Sequence, residues 1–312
     1  MSSIVPHEIR HVAMLDLTGA GAAEMLEGVT RIVNVATILI PESLLPRLSS
    51  IPMENVATVV PVPQGSRVRV LSGQMVLSGE ALENADGKQD EVLVVAGQLV
   101  VTSPVKRVGY HQLIAMGQVL APTGSETGLG AGLTRMSGQV HYYPYREGGS
   151  VRVLTGPTRM SAAELANPTG EPTDVLLSVG PLIIQDIPER VGFDRIVTVG
   201  QVLAPVGSEA VLAGRIAGAP GEVFYYSAPP RVFDGKETFY GAFFELLDEP
   251  ITLVLDGKFS FDEDVSPQVL KEKVAAIVFD GKLIAPRRLV PVLQLLAVAR
   301  DGKILADDAA VD

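Results

Sequence analysis

The chain has 312 residues, 47% of them hydrophobic, a formal net charge of −11 and no cysteine. That length suits two ordinary domains or one elongated repeat domain, and the hydrophobic content argues against disorder. The acidic balance speaks against nucleic acid and anionic membrane surfaces as partners, while the lack of cysteine excludes disulfides, thiolate zinc sites and iron–sulfur clusters.

Residues 1–30 read as a helical N-terminal cap. Segments 6–17 and 22–29 have helix-like apolar spacing, broken at Gly19 and Gly21. The start lacks the basic residues and apolar run of a signal peptide, so a cytoplasmic location is expected. His7-Glu8-Ile9-Arg10-His11 matches H-E-x-x-H, which on a helix aligns His7 and His11 as zinc ligands with Glu8 as general base. A catalytic zinc wants a third protein ligand, and the other histidines, His111 and His141, are far along the chain. Residues 18–24 and 128–133 are glycine-rich but lack the third glycine of a dinucleotide loop and the Lys-Ser/Thr of a phosphate loop, so both read as turns without a cofactor.

From residue 36 a short pattern recurs: Gly or Ala, any residue, a branched apolar residue, then more apolar residues. Its anchors are Ala36, Ala57, Gly73, Gly97, Gly117, Gly138, Gly156, Gly180, Gly200, Gly221, Gly235, Gly257, Gly281 and Gly302. Their gaps average about twenty residues, the period of a solenoid whose units bury their apolar faces only by stacking. The gaps also repeat in fours, giving a module of about 81 residues present three and a half times. Val68-Arg69-Val70-Leu71-Ser72-Gly73 is echoed by Val151-Arg152-Val153-Leu154-Thr155-Gly156, and Val140-His141-Tyr142-Tyr143 by Val223-Phe224-Tyr225-Tyr226. Short aliphatic runs such as Val92-Leu93-Val94-Val95 read as buried parallel strands. Residues 41–48, 266–274 and 286–296 read as helical return arcs with a proline in the first turn.

Residues 276–286, Ala-Ile-Val-Phe-Asp-Gly-Lys-Leu-Ile-Ala-Pro, followed by Leu289 and Leu293, resemble a leucine-rich repeat, with Gly where that family places Asn. The resemblance implies an α/β fold: a single-domain parallel solenoid of about fourteen ~20-residue coils over residues 31–306, with an acidic tail at 307–312. An all-β solenoid is the alternative.

Of the Phe and Tyr residues only Tyr110 precedes position 142. Strand side chains alternate, so one tyrosine of each pair is expected on the outer face. His141, Tyr142, Tyr143, Phe224, Tyr225 and Tyr226 are therefore candidate interaction residues, joined by Lys303, Ile304 and Leu305 of a final strand expected to leave an open edge. The reading is a non-enzymatic structural or protein-interaction solenoid, partnered by other proteins or itself as a homo-oligomer, with no nucleic acid, membrane insertion or cofactor. A zinc-dependent hydrolase built on His7, Glu8 and His11 ranks second.

Overall fold

The structure, a computed structural model, describes residues 6–87, 90–217 and 223–307. It is a mixed α/β fold of parallel sheets joined by helices of four to seven residues. The chain divides into two compact units at Tyr143/Pro144, where a single domain was expected.

Unit 1 runs β1 (His7–Asp16), α1 (Ala22–Met25), β2 (Val29–Pro41), a 3-10 turn (Glu42–Leu44), α2 (Leu45–Ser49), β3 (Met53–Val62), β4 (Arg67–Leu77), α3 (Gly79–Glu83), β5 (Glu91–Val101), β6 (Gln112–Pro122), α4 (Glu126–Gly132) and β7 (Leu133–Tyr143). Its sheets are β1-β2-β3 and β4-β5-β6-β7, every strand pairing in parallel with its neighbour in sequence. The inner strands β5 and β6 are buried on both faces over most of their length, which is why their runs are aliphatic. Leu93 and Val95 point into the coil interior, against Leu82, Leu113 and Leu129. Val92 and Val94 point the other way, where with Ile114 they meet Leu39, Val60 and Val62 of the first sheet.

Unit 2 runs β8 (Val151–Thr155), β9 (Thr158–Met160), α5 (Ala162–Leu165), β10 (Val175–Val179), β11 (Leu182–Ile184), β12 (Arg195–Val199), β13 (Val202–Pro205), α6 (Glu209–Leu212), β14 (Ile216–Ala217) and β15 (Val223–Tyr226). It continues with β16 (Pro230–Phe239), α7 (Gly241–Glu245), β17 (Ile251–Phe261), α8 (Pro267–Lys273), β18 (Val274–Ala285), α9 (Val290–Leu296) and β19 (Ala297–Ala306). The sheets are β8-β10-β12-β14, β9-β11-β13-β15 and β16-β17-β18-β19. Pro157 and Pro181, following Gly156 and Gly180, have no N–H for a ladder, and there each rung is split into two strands. Ile183 and Leu203 pack on Val254 and Val278, so the second and third sheets meet face to face. An aromatic core of Phe239, Phe244, Phe259, Phe261 and Phe279 fills the last stack, accounting for most of the late phenylalanines.

The structure changes the sequence-derived repeat in three ways. The N-terminal segment expected to be helical is strand β1, because it pairs along its length with β2 and buries Leu15 with Ile32, Val35 and Ile38. Tertiary pairing overrides the local helical spacing. The corners of the first sheet are Asn34 and Asn55, at φ 55° and 53°, with His11 at 57°, and not Ala36 and Ala57. Asparagine tolerates the left-handed region that alanine avoids. Gly221 lies outside the described residues.

Third, the strand ladder is interrupted. Asn55 to Gly73 and Gly138 to Gly156 are both steps of 18, against 20 to 24 for the steps within the glycine stacks. A parallel crossover needs about a dozen residues. Residues 63–66 and 227–229 are too few, so β4 and β16 each begin a new sheet laid against the previous one. The glycine columns mark the same starts. At Gly73, Gly156 and Gly235 a Cβ would meet nothing within 4 Å, whereas at Gly117 it would lie 1.9 Å from the Gly97 carbonyl oxygen.

The arcs at 41–48, 266–274 and 286–296 turn helical as expected, in α2, α8 and α9, each with a proline as its first or second residue. Residues 128–133 are a correction, since Gly128 to Gly132 lie in α4 and not in a turn. A Cβ at Gly128 would sit 2.1 Å from the Val105 carbonyl, so glycine lets the helix approach the preceding arc. Each unit also holds one arc by a left-handed asparagine and an acid. Asn84 donates to Glu91 (3.2 Å), and Asn167 donates to Asp174 (3.2 Å). Burial works to raise Asp174, but hydrogen bonds from the Ser150 and Glu171 backbone and from the Asn167 and Ser150 side chains outweigh it and hold the carboxyl below its usual range.

Candidate interaction surfaces

The paired tyrosines divide their work between surface and latch. Tyr142, opposite Ala121 on β6, is 38% exposed, while Tyr143 beside it is 2% exposed. The Tyr143 hydroxyl donates to the carbonyl of Val101, two strands back in the sheet. Tyr226 repeats the contact, donating to Ile184 (2.7 Å) across β13. Each latch ties the last strand of a sheet to the strand two rungs earlier. Burial raises the Tyr226 hydroxyl above its ordinary pKa, with Asp186 adding to that and Arg159 opposing it.

The other aromatic candidates are less available. Tyr225 is half-buried against the interior that holds Leu176 and Ile196. Phe224 is half-buried against Leu203 and Val254. His141 is half-buried, its Nε2 buried without a hydrogen-bond partner among the described residues. Tyr142 alone of the six matches an outward-facing aromatic.

The H-E-x-x-H segment lies on β1, so the geometry its chemistry needs is absent. Four residues along a strand separate side chains by about 13 Å, against one turn on a helix. His11 instead occupies a corner, its Nδ1 3.4 Å from Asn34 Nδ2, and Asn55 donates to Asn34 (2.9 Å) in a small ladder. Glu8 is engaged by Arg10. Among the described residues no group of three or more His, Cys, Asp or Glu is placed to hold a metal ion.

Lys303, Ile304 and Leu305 lie on β19, which pairs only with β18 among the described residues. Lys303 is exposed, and Ile304 packs half-buried on the phenylalanine core. Pairing reveals a feature the sequence reading missed. Asp234-Gly235-Lys236, Asp256-Gly257-Lys258, Asp280-Gly281-Lys282 and Asp301-Gly302-Lys303 stack in register, giving one column of four aspartates and another of four lysines. The signal was present as four copies of Asp-Gly-Lys on anchors already recognised. Burial, then the carboxylates of Asp256 and Asp301, push Asp280 above its ordinary range. At the same corners of β4–β6 the residue after glycine is glutamine, and Gln74 donates to Gln98 (2.8 Å) and Gln98 to Gln118 (3.1 Å).

Among the clefts of unit 2, two adjoin these features. One of about 350 Å³ borders the Asp234, Asp256 and Asp280 column and the Gly156, Gly180 and Gly200 corners. The other, about 460 Å³, is walled by Ile183, Pro205, Val206 and Pro229, with Arg159 and Tyr226 at its polar side. No helix among the described residues is long and apolar enough to cross a membrane. No family model, curated protein or solved structure matches the chain.

Proposed function

We propose that this is a non-enzymatic scaffold protein of the cytoplasm that associates with copies of itself or with other proteins through the open edge of a terminal coil. Its units are stacks of leucine-rich-repeat-like coils, each of about twenty residues: a strand, a corner and a short return arc. The carrying observation is β19, a ten-residue strand with one unpaired edge among the described residues and half-buried Ile304 and Leu305 on it. A strand edge of that length is a row of unsatisfied N–H and C=O groups, a template for another chain. β1 offers a second such edge in unit 1. The acidic net charge suits a protein partner better than a polyanion.

Sedimentation velocity over a hundredfold concentration range tests this reading. Mass is expected to rise with concentration, and a monomer throughout, with no partner captured by the full chain, overturns it.

A further inference from the structure

We infer that β19 is a self-complementary docking edge, on which a second copy of this chain pairs antiparallel about a twofold axis centred on Gly302. The inference rests on the self-association reading above and assigns its partner and geometry.

The argument starts from the order of charges. Inside the chain the strands are parallel and in register, so Asp280 lies beside Asp301 and Lys282 beside Lys303. Extending the sheet by another parallel Asp-Gly-Lys strand would add like charge to like charge, which is unfavourable for directly opposed residues. Antiparallel pairing reverses the order. With Gly302 opposite Gly302 of the second copy, Asp301 faces its Lys303, and Lys303 faces its Asp301. Both charged side chains are two positions apart, so they share one face of the sheet, and opposed Cβ atoms in such a pair lie about 5 Å apart. Two ion pairs form at once, and the same patch serves both copies, as a closed twofold interface requires.

Three further observations favour a second copy at this edge. Edges are ordinarily guarded by charge that repels another strand; here the two signs flank a glycine symmetrically, and neither Asp301 nor Lys303 makes an ion pair among the described residues. The sheets ending in β7 and β15 are closed by Tyr143 and Tyr226, Tyr143 standing five residues after the Gly138 corner, whereas the fifth residue after Gly302 is Asp307. The apolar surface beside the edge is uncovered as well, with Leu295 at 66% and Val298 at 54% exposure. In the antiparallel register Val298 lies opposite Ala306 of the second copy. Glycine at the centre lets the two backbones meet without a side chain between them.

The test is charge reversal with complementation in the full chain, read by sedimentation velocity and by its salt dependence. Asp301→Lys leaves two positive charges on the edge, and Lys303→Asp leaves two negative ones. Each is expected to weaken self-association about tenfold or more, since two attractive contacts become two repulsive ones. An equimolar mixture of the two variants is expected to recover association at the wild-type level, as is the double variant Asp301→Lys/Lys303→Asp. Within the chain each single substitution places opposite charge beside Asp280 or Lys282, so a loss of association is not explained by a weakened fold; far-UV circular dichroism checks this. A wild-type chain that assembles while the single variants assemble equally well, or a mixture no better than either variant alone, overturns β19 pairing and leaves self-association through another surface standing. A wild-type chain that stays monomeric overturns both.

Discussion

The corners of β4–β7 and of β16–β19 turn the backbone on the same stacked glycines, yet they carry side-chain columns of opposite character. In the first, Gln74, Gln98 and Gln118 pass hydrogen bonds from rung to rung, because an amide both donates and accepts. In the second, aspartate stacks on aspartate and lysine on lysine. An amide column satisfies itself, while an ionic column of one sign is satisfied only from outside it. The two stacks also end differently, one under the Tyr143 latch and the other at an edge without a partner strand among the described residues.

That contrast can be broken at three depths. The deepest is the backbone the two corners share. Gly117→Ala places a Cβ 1.9 Å from the Gly97 carbonyl, and Gly257→Ala places one 2.2 Å from the Gly235 carbonyl. Each is expected to cost several kcal/mol, enough to unfold much of its unit in thermal melting. Gly73→Ala and Gly235→Ala have open space below them and are expected to cost only about 1–2 kcal/mol for their positive φ. Equal losses at the first glycine of a column and at the later one would show that stacking is not what selects them.

The latch comes next. Tyr143→Phe keeps the ring and leaves the Val101 carbonyl without that donor, for an expected loss of about 1–3 kcal/mol in denaturant unfolding. Amide exchange is expected to quicken in β7 more than in β5. Uniform change across the sheet would assign the tyrosine a packing role only.

The smallest effect sharpens the electrostatic half of the comparison. Asp280 has its pKa raised in the folded state, so its protonated form fits the fold better than its ionised form. The stability linked to it is therefore complete below the ordinary aspartate pKa and is lost as pH rises through the folded value. Asp280→Asn is expected to raise the melting temperature slightly at pH 7 and to leave it unchanged at pH 3. A drop at neutral pH would mean that Asp280 is held by a favourable partner.

Much of the repeat was readable because glycine leaves a mark that few other residues share. Gly97, Gly117, Gly138, Gly257, Gly281 and Gly302 are corners where only a residue without a side chain fits against the carbonyl of the glycine below. Reading failed where another residue could do the same job. Asn34 and Asn55 occupy the left-handed corner as asparagines, and the apolar-anchor pattern slid two positions to Ala36 and Ala57. The helix expected at residues 6–17 failed for a different reason. β1 is exposed along much of its length, and its apolar residues meet one edge of the core at uneven intervals around the His11 corner, which mimics helical spacing. The shortened steps before Gly73, Gly156 and Gly235 were visible as numbers. Their meaning needed the pairing, since a short step does not say whether a coil is tight or a sheet has ended. The candidate edge residues Lys303, Ile304 and Leu305 were placed correctly on a strand, but Asp301 acquires its significance only once four rungs are seen in register.

The short connections at residues 63–66, 144–150 and 227–229 also bear on inheritance. A duplication copied from one such connection to the next adds a complete layer with its own interior and disturbs no existing register. One that begins within a return arc must join two partial coils, and a single-residue error there turns every following side chain to the wrong face. Gly73 and Gly156, Asn84 and Asn167, Glu91 and Asp174, and Tyr143 and Tyr226 all stand 83 positions apart. The chain has therefore kept the length of a whole layer as its unit of growth.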